Sequence, residues 1–180
     1  GRIGVMFQDG ALFSSLTVAE NVEVPLRAVE GLDGETRDGL ARFRISLVGL
    51  PWNAGDKFPA ELSGGMRKRA GLARALARAP EIVFLDEPTA GLDPIGAAAF
   101  DELIRSLSQS LGLTVFLVTH DLDTLYAACD RVAVLAEKRV LATGTLDDML
   151  DIDHPWVQAY FRGPRARAAR DGPAAKAGKG

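Results

Sequence analysis

Two adjacent carboxylates, Asp86 and Glu87, close a short apolar run, Ile82-Val83-Phe84-Leu85. A continuous run of this length fits a strand buried on both faces of a parallel sheet. Its C-terminal end lies at the edge where open α/β sheets bind ligands. Ionised carboxylates are costly to bury there unless a cation or donor satisfies them. A Mg2+ ion carrying nucleotide phosphates is such a partner. On that reading Asp86 holds the metal through its water shell, and Glu87 polarises the water that attacks the γ-phosphate. The plain alternative is an acidic pair facing solvent.

Leu62-Ser63-Gly64-Gly65-Met66 opens a helix. Helix N-termini expose unpaired N–H groups and a partial positive charge. Two glycines there allow a phosphate close to the backbone, and Ser63 adds a hydroxyl. A serine N-cap with glycines in the turn is the plain alternative. His120 follows the apolar run Thr114 to Val118, so it reaches the same kind of sheet edge, or else serves as a structural hydrogen bonder. Gln8 also ends a strand pattern, and an uncharged amide can ligate Mg2+ or orient water without competing for protons.

The elements that must position these groups read as alternating strands and helices. Residues 2 to 7 form a strand, then Thr17 caps a helix to about Val29, with Glu20 completing a capping box and Pro25 kinking it. Leu40, Phe43, Leu47 and Val48 give a helical period over 35–48. Residues 52 to 60 show little pattern. Ser63 starts a helix to Ala79, stopped by Pro80. After the strand 82–85 come a helix over 96–111, a buried strand over 114–118 and a short helix over 122–129. A third strand of the buried kind covers 132–135, and a fourth covers 139–142 after the turn Glu137-Lys138. Short helices follow over 145–150 and 156–161. This order predicts an α/β fold with a mainly parallel sheet and a helical insertion over about 14–78.

The bulk properties fit one globular domain. The 180 residues are 47% hydrophobic and 25% charged, and the net charge of -3 argues against a nucleic-acid binder. The charge is uneven: six Lys or Arg and one Asp from Arg162 onward give +5, leaving -8 on residues 1 to 161. A basic tail over 162–180 suits an anionic membrane surface, or it is a disordered solvated segment, as its Gly, Ala, Pro and Arg content favours. Cys129 is the single cysteine, so no internal disulfide forms, which fits a reducing compartment. No apolar run approaches the roughly 20 residues that span a bilayer.

Gln8, Ser63-Gly64-Gly65, Asp86-Glu87, Asp93 and His120 occur in one order at suitable spacings. In this the chain resembles the ATP-binding cassette (ABC) ATPases over about residues 1 to 150. Gln8 sits where their Q-loop glutamine does, and Leu62 to Met66 resembles their signature motif, with Met66 in place of the usual Gln. Ile82 to Glu87 is similar to their Walker B strand and catalytic glutamate, Gly91-Leu92-Asp93 to the D-loop, and His120 to the switch histidine.

The resemblance implies a P-loop NTPase-like fold and a head-to-tail homodimer with two ATP molecules and Mg2+ between the subunits. Glu87, His120 and Gln8 would be catalytic, Asp86 and Gln8 would hold Mg2+, and Ser63, Gly64, Gly65 and Asp93 would meet ATP in trans. Gln8 would also link the metal site to the insertion where integral-membrane permease subunits dock, at the cytoplasmic face of the inner membrane. The phosphate-binding pattern G-x-x-x-x-G-K-[ST] does not occur, and none of the five lysines follows such a loop. The chain opens without Met, on a strand in progress. The expectation is a sequence that starts partway through a gene, having lost the N-terminal strands and P-loop, and that as written neither binds ATP well nor hydrolyses it. A degenerate cassette that only binds partners is the alternative.

Phe7 to Val18, together with Asn21-Val22, Pro25-Leu26, Met66 and Asp93-Pro94-Ile95, is similar to ATPases of Mla-type transporters, which move phospholipids with MCE-domain proteins. His154 to Phe161 also looks related, with Trp156, Tyr160 and Phe161 as an apolar anchor at helical spacing. Polar amino-acid importers share much of this pattern.

Overall fold

The computed structural model describes residues 2–171. The chain divides into two compact units, the first ending at Thr119 and the second beginning at His120.

The first unit is built on a parallel sheet of β1 (Ile3–Met6), β2 (Ile82–Asp86) and β3 (Thr114–Val118), in that order. Gly4 and Met6 pair with Val83 and Leu85, which pair with Val115 and Leu117. Helices α3 (Gly64–Ala75) and α4 (Pro94–Leu111) cover that face. Leu72, Leu76, Ile104 and Leu107 meet Val83, Leu85 and Val115 along one apolar seam. The α/β class with a parallel sheet flanked by helices is as expected.

The opposite face differs from the expectation of strands buried on both sides. Ile3, Val5, Phe84, Phe116 and Val118 are exposed there, and the rings of Phe84 and Phe116 lie 5.2 Å apart. An apolar run reports what a strand is built to bury, whether or not the covering layer lies in the same residues.

Between β1 and β2 run α1 (Val18–Glu23), α2 (Gly34–Leu47) and α3. Thr17 caps α1 in a full capping box with Glu20, as the sequence predicts. A 3-10 turn over Val24–Ala28 replaces the predicted continuation to Val29, because Pro25 has no N–H to donate. Asn21 is fully buried yet satisfied: its amide donates to the carbonyls of Phe13, Leu16 and Thr17, and its Oδ1 accepts from the Phe13 N–H at 2.7 Å. That side chain orders the loop after Gly10. Helix α3 ends at Ala75 rather than Ala79. Pro80 disfavours the helical region for the residue before it, and Ala79 turns left-handed at φ 46°. Helix α4 starts two residues earlier than expected, capped by Asp93, and ends at Gly112 with φ 64°.

In the second unit α5 (Leu122–Ala128) is followed by the hairpin of β4 (Val132–Ala136) and β5 (Arg139–Gly144). The apolar pattern predicts β4 as a buried member of the parallel sheet. It pairs instead antiparallel with β5, and Leu135 is 72% exposed. Only antiparallel neighbours can be joined by two residues, here Glu137 and Lys138 at φ 52° and 60°. Leu125, Val134, Met149, Val157 and Phe161 form this unit's core, with α6 (Leu146–Leu150) and α7 (Pro155–Arg162) around it. Trp156 stacks on Tyr160 at 5.0 Å, and Tyr160 packs edge-on to Phe161.

The tail expected to be disordered from residue 162 is in part structured. Arg162 closes α7 and donates to the Leu150 carbonyl, and α8 (Pro164–Asp171) buries Ala166 and Ala169. Residues 172–180 of that tail lie outside the described residues.

Candidate functional site

Strand β2 ends at Asp86, whose side chain is exposed, and the chain then turns sharply at Glu87, which is left-handed at φ 45°. An L-residue in that region costs roughly 1–2 kcal/mol and persists where the surroundings hold it. Here the Glu87 N–H donates to the Val118 carbonyl at 2.9 Å. The Glu87 carbonyl accepts from the Ala90 N–H at 3.2 Å and from Lys68 Nζ at 3.1 Å. The parallel register, with Met6 opposite Leu85, carries Gln8 to the same sheet edge as Asp86 and Glu87. Gln8 lies exposed in a 3-10 turn, Gln8–Gly10, followed by left-handed Ala11. The structure therefore brings Gln8, Asp86 and Glu87 together.

The turn is stapled to α3. A Cβ on Gly71 would stand 2.6 Å from the Gly10 Cα, so the two backbones approach only because Gly71 lacks a side chain, while a Cβ on Gly10, at φ 78°, would stand 2.9 Å from the Arg67 carbonyl oxygen. Arg74 donates to the carbonyls of Gly10 (2.9 Å) and Ala11 (2.8 Å), and its guanidinium lies 5.8 Å from the centre of the Phe13 ring. Burial pushes the Arg74 pKa down. Lys68 points from the same helix to Glu87. Sequence reasoning missed Lys68, Gly71 and Arg74. Gly71 carried a signal, since glycine inside a helix weakens it and marks a close approach. The two cations carried none, because a cation on a helix reads as solvated.

Ser63 caps α3, its Oγ accepting from the Met66 N–H at 3.3 Å. Gly64 and Gly65 are different from Gly71. A Cβ at Gly64 would meet nothing nearer than Arg67 at 4.0 Å, and at Gly65 nothing nearer than Leu92 at 3.9 Å. Neither has a positive φ. The chain's own packing thus does not demand glycine at either position, and the helix start is left open to an approaching group. The Leu92 contact sets that start beside the turn Gly91-Leu92-Asp93.

Asp93 serves the fold directly, since its Oδ1 accepts from the N–H groups of Ile95 (3.1 Å) and Gly96 (3.0 Å) at the start of α4. His120 opens the second unit, exposed, and its carbonyl accepts from Tyr160 Oη at 2.7 Å. Among the described residues no group of three or more His, Cys, Asp or Glu could hold a metal. Asp86 with Gln8 fits a Mg2+ ion that keeps most of its ligands as waters and phosphate oxygens, which is how that ion usually binds.

Comparison with known proteins shows the family to which the chain belongs. Residues 1–90 match the family model described as "ABC transporter". The chain belongs to the ABC transporter family. It is 41% identical over 165 residues to the "Probable ribonucleotide transport ATP-binding protein mkl" of Mycobacterium tuberculosis (strain ATCC 25618 / H37Rv), covering 90% of this chain and 45% of that protein. It is 43% identical over 149 residues to the "Methionine import ATP-binding protein MetN" of Streptomyces coelicolor, covering 83% and 42%. Among solved structures it is similar to the dimeric post-hydrolysis state of the ATP-binding cassette MJ0796 bound to ADP and Pi, with TM-score 0.71 and 32% identity over 80% of this chain and 62% of that one. It is also similar to cbiO1 from Clostridium perfringens, part of the cbiONQ transporter complex, with TM-score 0.73 and 31% identity over 91% and 65%. The chain spans less than half the length of the curated relatives it matches.

Proposed function

We propose that this chain is part of an ATP-hydrolysing subunit that energises an integral-membrane permease of an ABC transporter. The observation that carries the reading is the pair Gly64 and Gly65, which leave a helix start open although nothing among the described residues crowds a side chain there. The dimeric cassette similar to this chain, bound to ADP and Pi, supports a second copy as the source of the phosphate.

In such a homodimer Ser63, Gly64 and Gly65 receive the γ-phosphate held by the other subunit's P-loop, with the helix partial charge favouring the anion. Glu87 accepts the proton of the attacking water, and Gln8 orients that water. Mg2+ supplies charge neutralisation to the phosphates, and Asp86 and Gln8 are the groups to hold it. His120 contacts the γ-phosphate and senses its loss. Asp93, while capping α4, carries communication between the two sites. The sequence contains no lysine-bearing phosphate loop, so hydrolysis is proposed for a subunit in which such a loop accompanies these residues. No helix among the described residues is long and apolar enough to cross a membrane, which suits a peripheral subunit at the cytoplasmic membrane face.

The transported substrate is a phospholipid or related lipid of the Mla/MCE type, with an MCE-domain protein as a further partner. Phe7 to Val18 and Met66 support this. A polar amino-acid importer is the second reading, favoured by the 43% identity to the methionine import protein. The test is reconstitution of the full-length subunit with its permease in vesicles, following ATP hydrolysis, transfer of a fluorescent phospholipid and methionine uptake. Hydrolysis with lipid transfer is expected. Methionine uptake without lipid transfer would overturn the lipid assignment, and absence of hydrolysis would overturn the motor itself.

A further inference from the structure

Lys68 is 3% exposed, and lysine is almost never so deeply buried without partners. Its ammonium donates to the Glu87 carbonyl at 3.1 Å and lies 4.0 Å from Asp9 Oδ1, and the charge of the Glu87 carboxylate acts on it as well. The Glu87 carbonyl and Asp9 do not weigh equally. The Asp9 side chain is 81% exposed, and water screens a pair at that distance to a weak attraction. A hydrogen bond from a charged donor, sheltered from water, is the stronger of the two contacts. Burial pulls the Lys68 pKa down, and the charges of Asp9 and Glu87 pull it partly back.

The carbonyl that Lys68 grips belongs to the left-handed residue that ends β2. The backbone bonds of Glu87 to Val118 and Ala90 hold that turn as well, and Lys68 adds a side-chain anchor to them against the ordinary right-handed region, which lies roughly 100° away in φ. Relaxation there would redirect the Glu87 side chain. We infer that Lys68 is a positioning residue for Glu87, holding its backbone in the left-handed turn that aims the carboxylate along the sheet edge. This rests on the reading of Glu87 as the general base.

The placement has a consequence for coupling. Lys68 lies five residues after Ser63 on α3. The start of α3 faces the nucleotide held by the partner, whereas Lys68 sets the base of its own subunit's site. One rigid helix therefore links the two sites, and a shift of its N-terminus on phosphate binding reaches Glu87 through a single side chain.

The test uses the full-length subunit with its permease. Lys68→Met removes the donor and keeps the volume. It is expected to lower kcat for ATP hydrolysis about tenfold while the KM for ATP stays within about twofold. Lys68→Gln keeps an N–H donor without charge and is expected to recover kcat to within about threefold of wild type. In a Glu87→Gln background, Lys68→Met should cause no further loss, because it acts through Glu87. Asp9→Asn should leave kcat within about twofold, and it reports on the ranking of the two contacts even if Lys68→Met fails to fold. A wild-type kcat for Lys68→Met, an equal loss in Lys68→Met and Lys68→Gln, or a tenfold loss in Asp9→Asn overturns the inference. A wild-type rate for Glu87→Gln alone overturns the base assignment instead.

Discussion

The two faces of the three-stranded sheet carry the same kinds of residue in opposite surroundings. On one, Gly4, Met6, Val83 and Leu85 are closed in by α3 and α4. On the other, Ile3, Val5, Phe84, Phe116 and Val118 stand open, and Asp86 continues their alternation at the C-terminal edge. Parallel strands are built to be covered on both sides. The closed face shows what holds this unit together, and the open face shows that Asp86 belongs to a surface of exposed apolar residues.

The contrast between the faces can be broken in several ways. The largest expected effect lies at the edge where they meet. Glu87→Gln in the full-length subunit should lower ATP hydrolysis by about a hundredfold or more, as loss of a general base does, with ATP still retained. Steady-state hydrolysis and filter binding measure both. Next, Leu85→Ala on the closed face should cost about 2–5 kcal/mol of unfolding free energy in urea. Phe84→Ala, one residue away on the open face, should cost less than about 1 kcal/mol. Equal costs would erase the distinction between the faces. Gly71→Ala forces a methyl to 2.6 Å from the Gly10 Cα, and it should cost about 1–3 kcal/mol, seen as a lowered urea midpoint. Thr17→Ala removes the α1 capping box and should cost about 1 kcal/mol by the same measurement.

The smallest effect is in the second unit. Hydrogen bonding from the Thr145 N–H, and secondly from its hydroxyl, holds the Asp148 carboxyl below its usual value of 3.8. A depressed folded-state pKa gives stability that is present above the unfolded value and lost as pH falls through the folded one. Acid titration of wild type should therefore show a loss beginning below about pH 4, which Asp148→Asn should flatten.

Much of this fold was legible in the sequence, for identifiable reasons. The β-runs at 82–85 and 114–118 were short, apolar and bounded by turns, so their limits were read to within a residue. Thr17 and Glu20 announced a capping box, which formed. The faces of the strands were not legible, since an apolar run looks the same with or without its covering layer. The direction of β4 was open to reading from the two-residue turn at Glu137-Lys138, a signal outweighed by its apolar composition. The α8 helix was obscured because Ala166 and Ala169 sit among arginines that dominate the composition. At the site, Gln8, Asp86 and Glu87 were legible as strand-end polar groups. Lys68 and Arg74 were not, because their burial exists only once α3 meets the turn after β1.

The most direct measurement is the ATP dependence of association of the full-length subunit by sedimentation equilibrium. Glu87→Gln should shift from monomer to dimer on adding ATP. Glu87→Gln combined with Ser63→Arg should bind ATP yet remain monomeric, because the obstructed α3 start can no longer receive the partner's phosphate. Dimerisation of the double variant with the same ATP dependence would contradict the assignment of Ser63, Gly64 and Gly65 to a nucleotide supplied by a second copy.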